Sequence, residues 1–340
     1  MERFRLSFTS PFHVSSGGYG LESANVAVDS DTLFSAVCHT ARMLYGDAGV
    51  EQLLRPGAVR LSSTFPYMRR RVKSPDGTPT VTYFLPRPLA YQPPLPDADS
   101  SLRKSIKKVQ FIDEKLFGRL DTLDPLDDAD QQKSNGHKKR VGGLWASHGL
   151  PDGGLLNERE LPRVTLDRVT HASTLFYFSE VEFRKGCGLY VLAEFSDQDV
   201  RRMFVAALRL LGDEGLGADG TVGKGQFQVY QDAADQDVQF PDANNPNARL
   251  LLSLYNPTRA EQATLKLDES AYGLTTRRGW TSFPGAASMR RLSVRAFTAG
   301  SVLRTDADLQ GRLVDVLDLE ETHGVRIRRN LQALSLPYRL

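Results

Sequence analysis

The sequence predicts an α+β protein whose first part is a β-α-β-β-α-β unit of the ferredoxin-like type, interrupted by a long insertion. Three observations carry that prediction. The chain starts with alternating apolar and polar residues, two amphipathic helical stretches lie far apart, and strand-like runs follow each of them. At 340 residues the chain has room for two domains. With 40% hydrophobic and 25% charged residues it can build a real core.

Phe4, Leu6 and Phe8 alternate with Arg3, Arg5 and Ser7, the period of a half-buried strand. Pro11 ends it, and Ser15-Ser16-Gly17-Gly18-Tyr19-Gly20 reads as a loop. Ser30 or Asp31 is the expected N-cap of the first helix, because either side chain can accept from an orphan backbone N–H. Leu33, Phe34, Val37, Ala41, Leu44 and Tyr45 then follow at helical spacing, and Gly46 is expected to stop the helix. Cys38 falls on the same helix and is expected in the core.

From Arg60 to about Pro162 the pattern degrades. Short strands are expected over 61–67 and 81–85, a proline cluster spans 86–96, and a helix is expected over 101–117. An acidic stretch (121–130) and a polar basic stretch (133–140) follow. So long an irregular run does not fit inside one compact domain, and it is read as an insertion projecting from a core. Regularity returns at Arg163, with strands over 173–183 and 188–195. Cys187 is placed in the turn between them. Asp197 is the expected N-cap of a helix carrying Val200, Met203, Phe204, Ala207, Leu208 and Leu211. A glycine-rich loop and a strand over 226–230 complete the unit. The stretch 232–247 reads as a linker, and a strand over 250–255 opens a second unit. In such a unit helices cover one face of the sheet and the other face stays open, the RNA-binding surface of RRM-type modules.

Composition removes several function classes. Lys+Arg is 43 and Asp+Glu is 41, a net charge of only +2, so any basic patch is local. Two cysteines exclude a disulfide framework and a four-cysteine zinc site. No apolar run reaches the ~20 residues that span a bilayer, and the start of the chain has no signal-peptide core. Free thiols fit a reducing compartment, so a cytoplasmic location is expected. No HExxH, EF-hand loop or Cys/His cluster is present, so neither a metal nor a cofactor is expected. Charge is uneven: residues 60–120 hold twelve basic and five acidic side chains, an excess of seven, next to Phe65 and Tyr67. That clustering favours RNA contact over a merely solvated surface.

The densest signal is Gly215-Leu216-Gly217-Ala218-Asp219-Gly220-Thr221-Val222-Gly223-Lys224-Gly225-Gln226-Phe227. Glycine lets the backbone take positive φ and approach a ligand closely, and successive N–H groups can cradle an anion. A Walker A loop is excluded, because Ala218 and Gly225 stand where it needs Gly and Ser/Thr. A dinucleotide fingerprint is excluded because this loop follows a helix and precedes a strand. A long turn that needs glycine for its geometry is the other reading.

The order helix, G-rich loop, strand, with Gly215-x-Gly217 and Gly223-Lys224-Gly225-Gln226-Phe227, resembles the signature loop of the RAMP superfamily of CRISPR RNA-binding proteins. Four further segments narrow the resemblance: Pro11-Phe12-His13-Val14 with Ser30-Asp31-Thr32-Leu33-Phe34-Ser35-Ala36, Arg163-Val164-Thr165-Leu166-Asp167-Arg168, Tyr255-Asn256-Pro257, and Arg278-Gly279-Trp280. Together they are similar to the Cas5-like subunit that caps the crRNA 5′ end in type III-A (Csm) effector complexes, from Arg3 to about Val302. The resemblance implies two ferredoxin-like RAMP domains, residues 1–232 and 248–340, the first with a hairpin thumb inserted over about 66–162. It implies contacts to the 5′ tag of the crRNA and, indirectly, to target RNA. It also implies docking to the large polymerase-bearing subunit and to the adjacent backbone subunit, with no catalysis by this chain.

On that basis Gly215, Gly217, Gly223, Lys224 and Gly225 are expected to hold phosphates. His13, Ser15, Ser16, Gly17 and Gly18, with Ser30 and Thr32, are expected to line the tag path. Arg69, Arg70 and Arg71 are expected to orient RNA near the first guide position. Arg163 and Arg168, flanking Asp167, are read either as an ion pair in a strand or as RNA contacts. Trp280, beside Arg277 and Arg278, is read either as core or as a base-stacking platform. The alternatives are a crRNA-processing RAMP endoribonuclease using His13 with Lys224 or Arg71, and the equivalent subunit of a type III-B complex. A lone histidine falls short of a catalytic constellation.

Overall fold

The computed structural model describes residues 1–14, 26–73, 79–91, 107–120, 133–134, 137–240, 243–281, 289–319, 321 and 325–340. β1 (Glu2–Phe8) leads to α1 (Ser30–Leu53), then β2 (Val59–Leu61), β3 (Phe65–Lys73) and β4 (Pro79–Pro86). β5 (Phe111–Asp113) and the single turn α2 (Glu114–Phe117) follow. β6 (Lys133–Ser134), β7 (His137–Lys138), β8 (Arg140–Val141) and β9 (Leu144–Trp145) are two-residue pieces. β10 (Leu156–Leu166) and β11 (Ser173–Phe183) form a long hairpin. β12 (Cys187–Phe195), α3 (Gln198–Glu214) and β13 (Phe227–Tyr230) come next.

These strands build one large sheet, ordered β13-β1-β12-β3-β4-β5-β9-β8, with β2 also paired to β12. The two long helices share one face of it. Their apolar stripes meet Phe4, Leu6, Leu189 and Val191 in a core that includes Leu33, Val37, Val200, Phe204 and Leu208. The hydroxyl of Thr40 donates to the carbonyl of Ala207 at 2.8 Å, tying helix to helix.

The other face is not open. Arg3 and Arg5, which alternate with Phe4 and Leu6, are themselves buried. Tyr190, Leu192, Phe65 and Tyr67 on that face pack against Leu250, Val302 and Leu336 of a second sheet and against the adjoining Leu252 and Leu334. The open RRM-type surface expected from the first unit is therefore occupied by protein. Apolar side chains left on that face would expose area worth about 25 cal/mol per Å2, and the second sheet covers it. Residues 233–235 form a tight 3-10 turn on the same face and bring Asp235 against Arg3 and Arg5, so the expected linker is packed structure there.

The second sheet is ordered β15-β18-β14-β21. Its strands are β14 (Ala248–Leu251), β15 (Lys266–Ala271), β18 (Val302–Arg304) and β21 (Ser335–Tyr338). Two hairpins form separate two-stranded sheets, β16 (Leu274–Arg277) with β17 (Val294–Phe297), and β19 (Gly311–Leu319) with β20 (Val325–Gln332). The short α4 (Arg259–Thr264) is capped by a reciprocal Thr258–Glu261 box.

Several local expectations are corrected. Gly46 kinks α1 rather than ending it: its φ of 65° breaks the helix geometry, and a second helical segment continues to Leu53. The N-cap of α1 is Asp29, one residue earlier than expected, and it caps without a side-chain bond because its carboxylate is engaged elsewhere. The helix expected over 101–117 is interrupted within the described residues: Lys107 is helical and α2 covers 114–117, but residues 111–113 pair with β4 as a strand; 101–106 lie outside them. Cys187 begins β12 and is buried, and burial pushes its thiol up to about 11. Asp197 caps α3 as expected, accepting from the backbone N–H groups of Asp199 and Val200. Cys38 packs against the helix-covered core. No helix among the described residues is long and apolar enough to cross a membrane.

Candidate nucleic-acid interface

The start of α1, the glycine loop after α3, and the hairpin β16–β17 meet around a cleft of about 740 Å3. Its walls carry Asp31 and Thr32 from α1, Gly215 and Gly217 from the loop, and Arg277 and Arg278 from β16 and its exit. Residues 245 positions apart are thus brought together. Thr32, Gly215, Gly217, Arg277 and Arg278 were all expected at an RNA site, and one cleft gathers them.

The glycines of the loop serve its shape first. Gly217 has φ of +103°, and a Cβ there would lie 2.3 Å from the carbonyl oxygen of His13. Gly225 has φ of +75°, and a Cβ would meet the Leu216 carbonyl oxygen at 2.2 Å. The loop closes on itself and on the end of β1: Leu216 N–H donates to Gly225, Ala218 N–H to His13, and Gly225 N–H to Pro11, each at 2.9 Å. Those three donors are spent inside the protein, so the loop presents a rigid wall rather than a full cradle of free N–H groups.

Lys224, expected to hold phosphate, and Arg163, read either as an ion pair or as an RNA contact, are both engaged by carboxylates. Lys224 Nζ lies 2.6 Å from Glu180, whose side chain is only 3% exposed. Arg163 Nη1 lies 2.6 Å from Asp219 of the loop, and its guanidinium sits 4.0 Å from the Phe178 ring centroid. Both pairs fasten the β10–β11 hairpin to the glycine loop. Arg163 pairs across the fold and not with the nearby Asp167, which instead accepts from Val169 and Thr170 N–H groups in the hairpin turn. Arg168 is exposed at that turn.

His13 is 3% exposed, and its Nδ1 lies 2.6 Å from the Ser179 carbonyl. A carbonyl only accepts, so Nδ1 carries the proton. The ring packs against Phe178, and Nε2 has no hydrogen-bond partner. Ser30 is buried and its hydroxyl accepts from Leu254 N–H, which ties α1 to the second sheet. Arg69 and Arg70 stand on β3, outside the cleft walls. Arg71 belongs to the same strand, and its side chain is outside the described part. Ser15, Ser16, Gly17 and Gly18 lie outside the described residues. Gly223, also at positive φ, ends the 3-10 turn of the loop.

The acidic and basic groups of the cleft form one network. Asp31, with no exposed side-chain area, pairs with Arg277 at 2.9 Å and with Arg329 of β20. Arg277 also reaches Asp29 at 3.0 Å and donates to the Thr32 hydroxyl at 2.7 Å. One guanidinium therefore joins three residues at the head of α1 to the β16–β17 hairpin. Arg291 completes the wall, and burial, with Arg329 and Arg277 nearby, holds its guanidinium below the usual arginine range.

Arg329, Arg291, Asp29 and Glu180 were not anticipated. Arg329 left a trace: it shares strand parity with Ile327 and Leu331, so an alternating strand points it inward, and an inward arginine needs an acid. Nothing in the local pattern marks Glu180 as the partner of Lys224. Trp280 is 48% exposed, which corrects the core reading.

A sheet-dominated α/β fold, with a glycine loop after its second long helix and a basic cleft beside that loop, defines a class. Residues 5–228 match the RAMP superfamily. Residues 244–337 match the CRISPR Csm4 C-terminal domain. The chain belongs to the RAMP superfamily and, within it, to the Csm4 family of CRISPR type III subunits. It is 30% identical over 210 residues to the CRISPR system Cms protein Csm4 of Thermococcus onnurineus, a match covering 59% of this chain and 61% of that one. It is 27% identical over 328 residues to the protein of the same name from Mycobacterium tuberculosis, covering 94% of each. Its fold is that of Csm4-containing structures. A Csm3–Csm4 subcomplex of the type III-A interference complex aligns with a TM-score of 0.67 at 18% identity, covering 100% of both chains. A Csm1–Csm4 cassette with AMPPNP aligns with 0.57 at 21% identity, covering 99% of this chain and 97% of that one.

Proposed function

We propose that this chain is the non-catalytic crRNA-binding subunit of a type III-A CRISPR effector, holding the 5′ tag of the crRNA in the cleft beside the glycine loop. The observation that carries the reading is the convergence of the α1 head, the glycine loop and the Arg277–Arg278 hairpin on one open, arginine-rich cleft. Single-stranded RNA fits such a surface, with phosphates on guanidiniums and bases splayed outward to be read singly.

Two ferredoxin-like domains, 1–232 and 248–340, are part of the reading. The strand order β13-β1-β12-β2/β3, with α1 and α3 on one face, supports it for the first. The thumb, expected over about 66–162, is assigned instead to the β10–β11 hairpin, because β3, β4, β5, β8 and β9 of that stretch pair into the large sheet. Its distal half is exposed, with Leu166 at 69% and Val169 at 87%. Its base is held by Phe12 pairing with Val181 and by the Lys224–Glu180 and Arg163–Asp219 pairs. With its tip Arg168 and with Arg69–Arg71 it orients RNA toward the first guide position. Docking to a large polymerase-bearing subunit and to a backbone RAMP subunit, in the cytoplasm, completes the assignment; related chains are solved with Csm1 and with Csm3.

His13 argues against strand cleavage by this chain: it is buried and packed on Phe178. The test is binding and cleavage of precursor repeat RNA by the purified chain. Tagged crRNA is expected to bind and to remain intact. Cleavage that disappears in His13→Ala, or failure of the tag to bind both the free chain and its co-purified complex, overturns the reading.

A further inference from the structure

Five arginines of the C-terminal part converge on the cleft and on the small pocket that continues it: Arg277, Arg278, Arg290, Arg291 and Arg329. They do not share one role. Arg277 and Arg329 are neutralised by Asp29 and Asp31. Among the described residues no ion pair involves Arg278, Arg290 or Arg291. Arg291 is half-buried, and its Nε has no hydrogen-bond partner. Asp31 acts on Arg291 from a distance but makes no ion-pair contact with it, and a partly desolvated guanidinium without such a contact is unfavourable unless an anion completes it.

The same pocket, about 130 Å3, places an aromatic plane beside these cations. It is lined by Arg278, Gly279, Trp280, Arg290, Arg291 and Ser293. Arg290 lies 4.7 Å from the centroid of the Trp280 ring, which braces an indole that is 48% exposed. Gly279 fixes the spacing. Arg291 N–H donates to its carbonyl at 2.9 Å, and at its φ of +142° a Cβ would come 2.8 Å from Arg291 Nη2. A side chain there would push the Arg291 guanidinium away from the Gly279 backbone.

We propose that Arg278, Arg291 and Trp280 form a single-nucleotide seat at the end of the cleft, the two guanidiniums taking one phosphodiester of single-stranded RNA and the indole stacking on the adjoining base. The seat deepens the RNA-binding reading above and rests on it. Arg277, which in sequence looks equivalent to Arg278, is excluded from it because its charge is spent on the head of α1. An acidic protein segment would satisfy the arginines but has no flat group for the indole, so RNA is the better fit.

The full chain tests this directly, because its only two tryptophans differ sharply: Trp145 is fully buried and Trp280 is half exposed. Titration with an unlabelled single-stranded oligoribonucleotide is expected to quench tryptophan emission. Anisotropy with the labelled oligonucleotide is expected to show about tenfold weaker binding for Trp280→Ala, and Trp280→Phe, which keeps a stacking face, is expected to bind with no quench. Arg278→Ala with Arg291→Lys is expected to weaken binding at least about tenfold and to reduce the salt slope by about 0.7, one phosphate contact on a single strand. Thermal melting checks that the exposed-site variants Trp280→Ala, Trp280→Phe and Arg278→Ala stay folded. RNA binding with unchanged emission and unaffected variants overturns the seat and leaves the broader reading standing. Absence of RNA binding by the wild-type chain and its complex overturns both. A polyglutamate peptide that displaces the RNA and leaves emission unquenched overturns the assignment to a nucleotide.

Discussion

Two arginine clusters in this molecule use the same side chain in opposite ways. Beneath the covered face of the large sheet, Arg3 and Arg5 are almost fully buried, and three carboxylates, Asp232, Asp235 and Glu114, answer them. Arg3 also lies 3.6 Å from the Tyr83 ring centroid. In the cleft, five arginines face Asp29, Asp31 and, on the opposite wall, Glu214. Where acids match or outnumber arginines, the chain seals a surface against itself. Where arginines are in excess and the cleft is open, the charge is presented to something outside. Arginine content alone therefore does not tell a sealed surface from a presented one; the ratio of guanidinium to carboxylate does.

The comparison can be broken first at Asp31. Asp31→Ala leaves Arg277 and Arg329 without their buried partner, and a loss of about 3–5 kcal/mol in urea unfolding is expected. A loss below about 1 kcal/mol would mean that the cleft arginines are not clasped as described. Next, Gly217→Ala puts a Cβ against the His13 carbonyl at positive φ and is expected to cost roughly 1–3 kcal/mol by the same measurement.

The covered cluster has a pH signature of its own. Burial raises the Glu114 carboxyl to about 7, against the pull of Arg3. The folded state therefore holds this proton more tightly than the unfolded chain does. Its contribution is fully present below about pH 4.5 and is lost as pH rises through about 7. Because the side chain is 31% exposed, solvent screens it, and a change of about 1 kcal/mol across that window is expected. Melting curves between those pH values should show it, and Glu114→Gln should flatten it. The smallest effect sharpens the contrast most. Arg278→Ala, exposed and without an ion pair, is expected to change stability by less than about 0.5 kcal/mol, while Arg277→Ala destabilises clearly.

Much of the framework was legible in the chain. The alternation of Phe4, Leu6 and Phe8, the helical spacing from Val200 to Leu211, the Asp197 cap and the strand after the glycine loop all appear in the structure. These depend on period and capping chemistry, which act over a few residues. The covered second face was not legible. Arg3 and Arg5 look like solvent-facing residues of an alternating strand until Asp235 and Glu114 are brought to them from more than a hundred residues away. The kink at Gly46 was misread as an end because a glycine at positive φ breaks a helix in the same way whether or not a second helical segment continues beyond it.

The candidate site divides the same way. Residue types alone marked the glycine loop, because positive φ at Gly215, Gly217, Gly223 and Gly225 tolerates little else, and the loop's resemblance to a known signature marked the superfamily. Sequence by itself also put Arg277, Arg278 and Trp280 in one short segment. Only the tertiary structure separated them, giving Arg277 to Asp29 and Asp31 and Lys224 to Glu180, while Trp280 and Arg278 stay at the surface. The reason is physical. Backbone conformation is decided by neighbours along the chain, whereas whether a charge is spent or available depends on which opposite charge the fold brings within about 4 Å, and no local pattern records that distance.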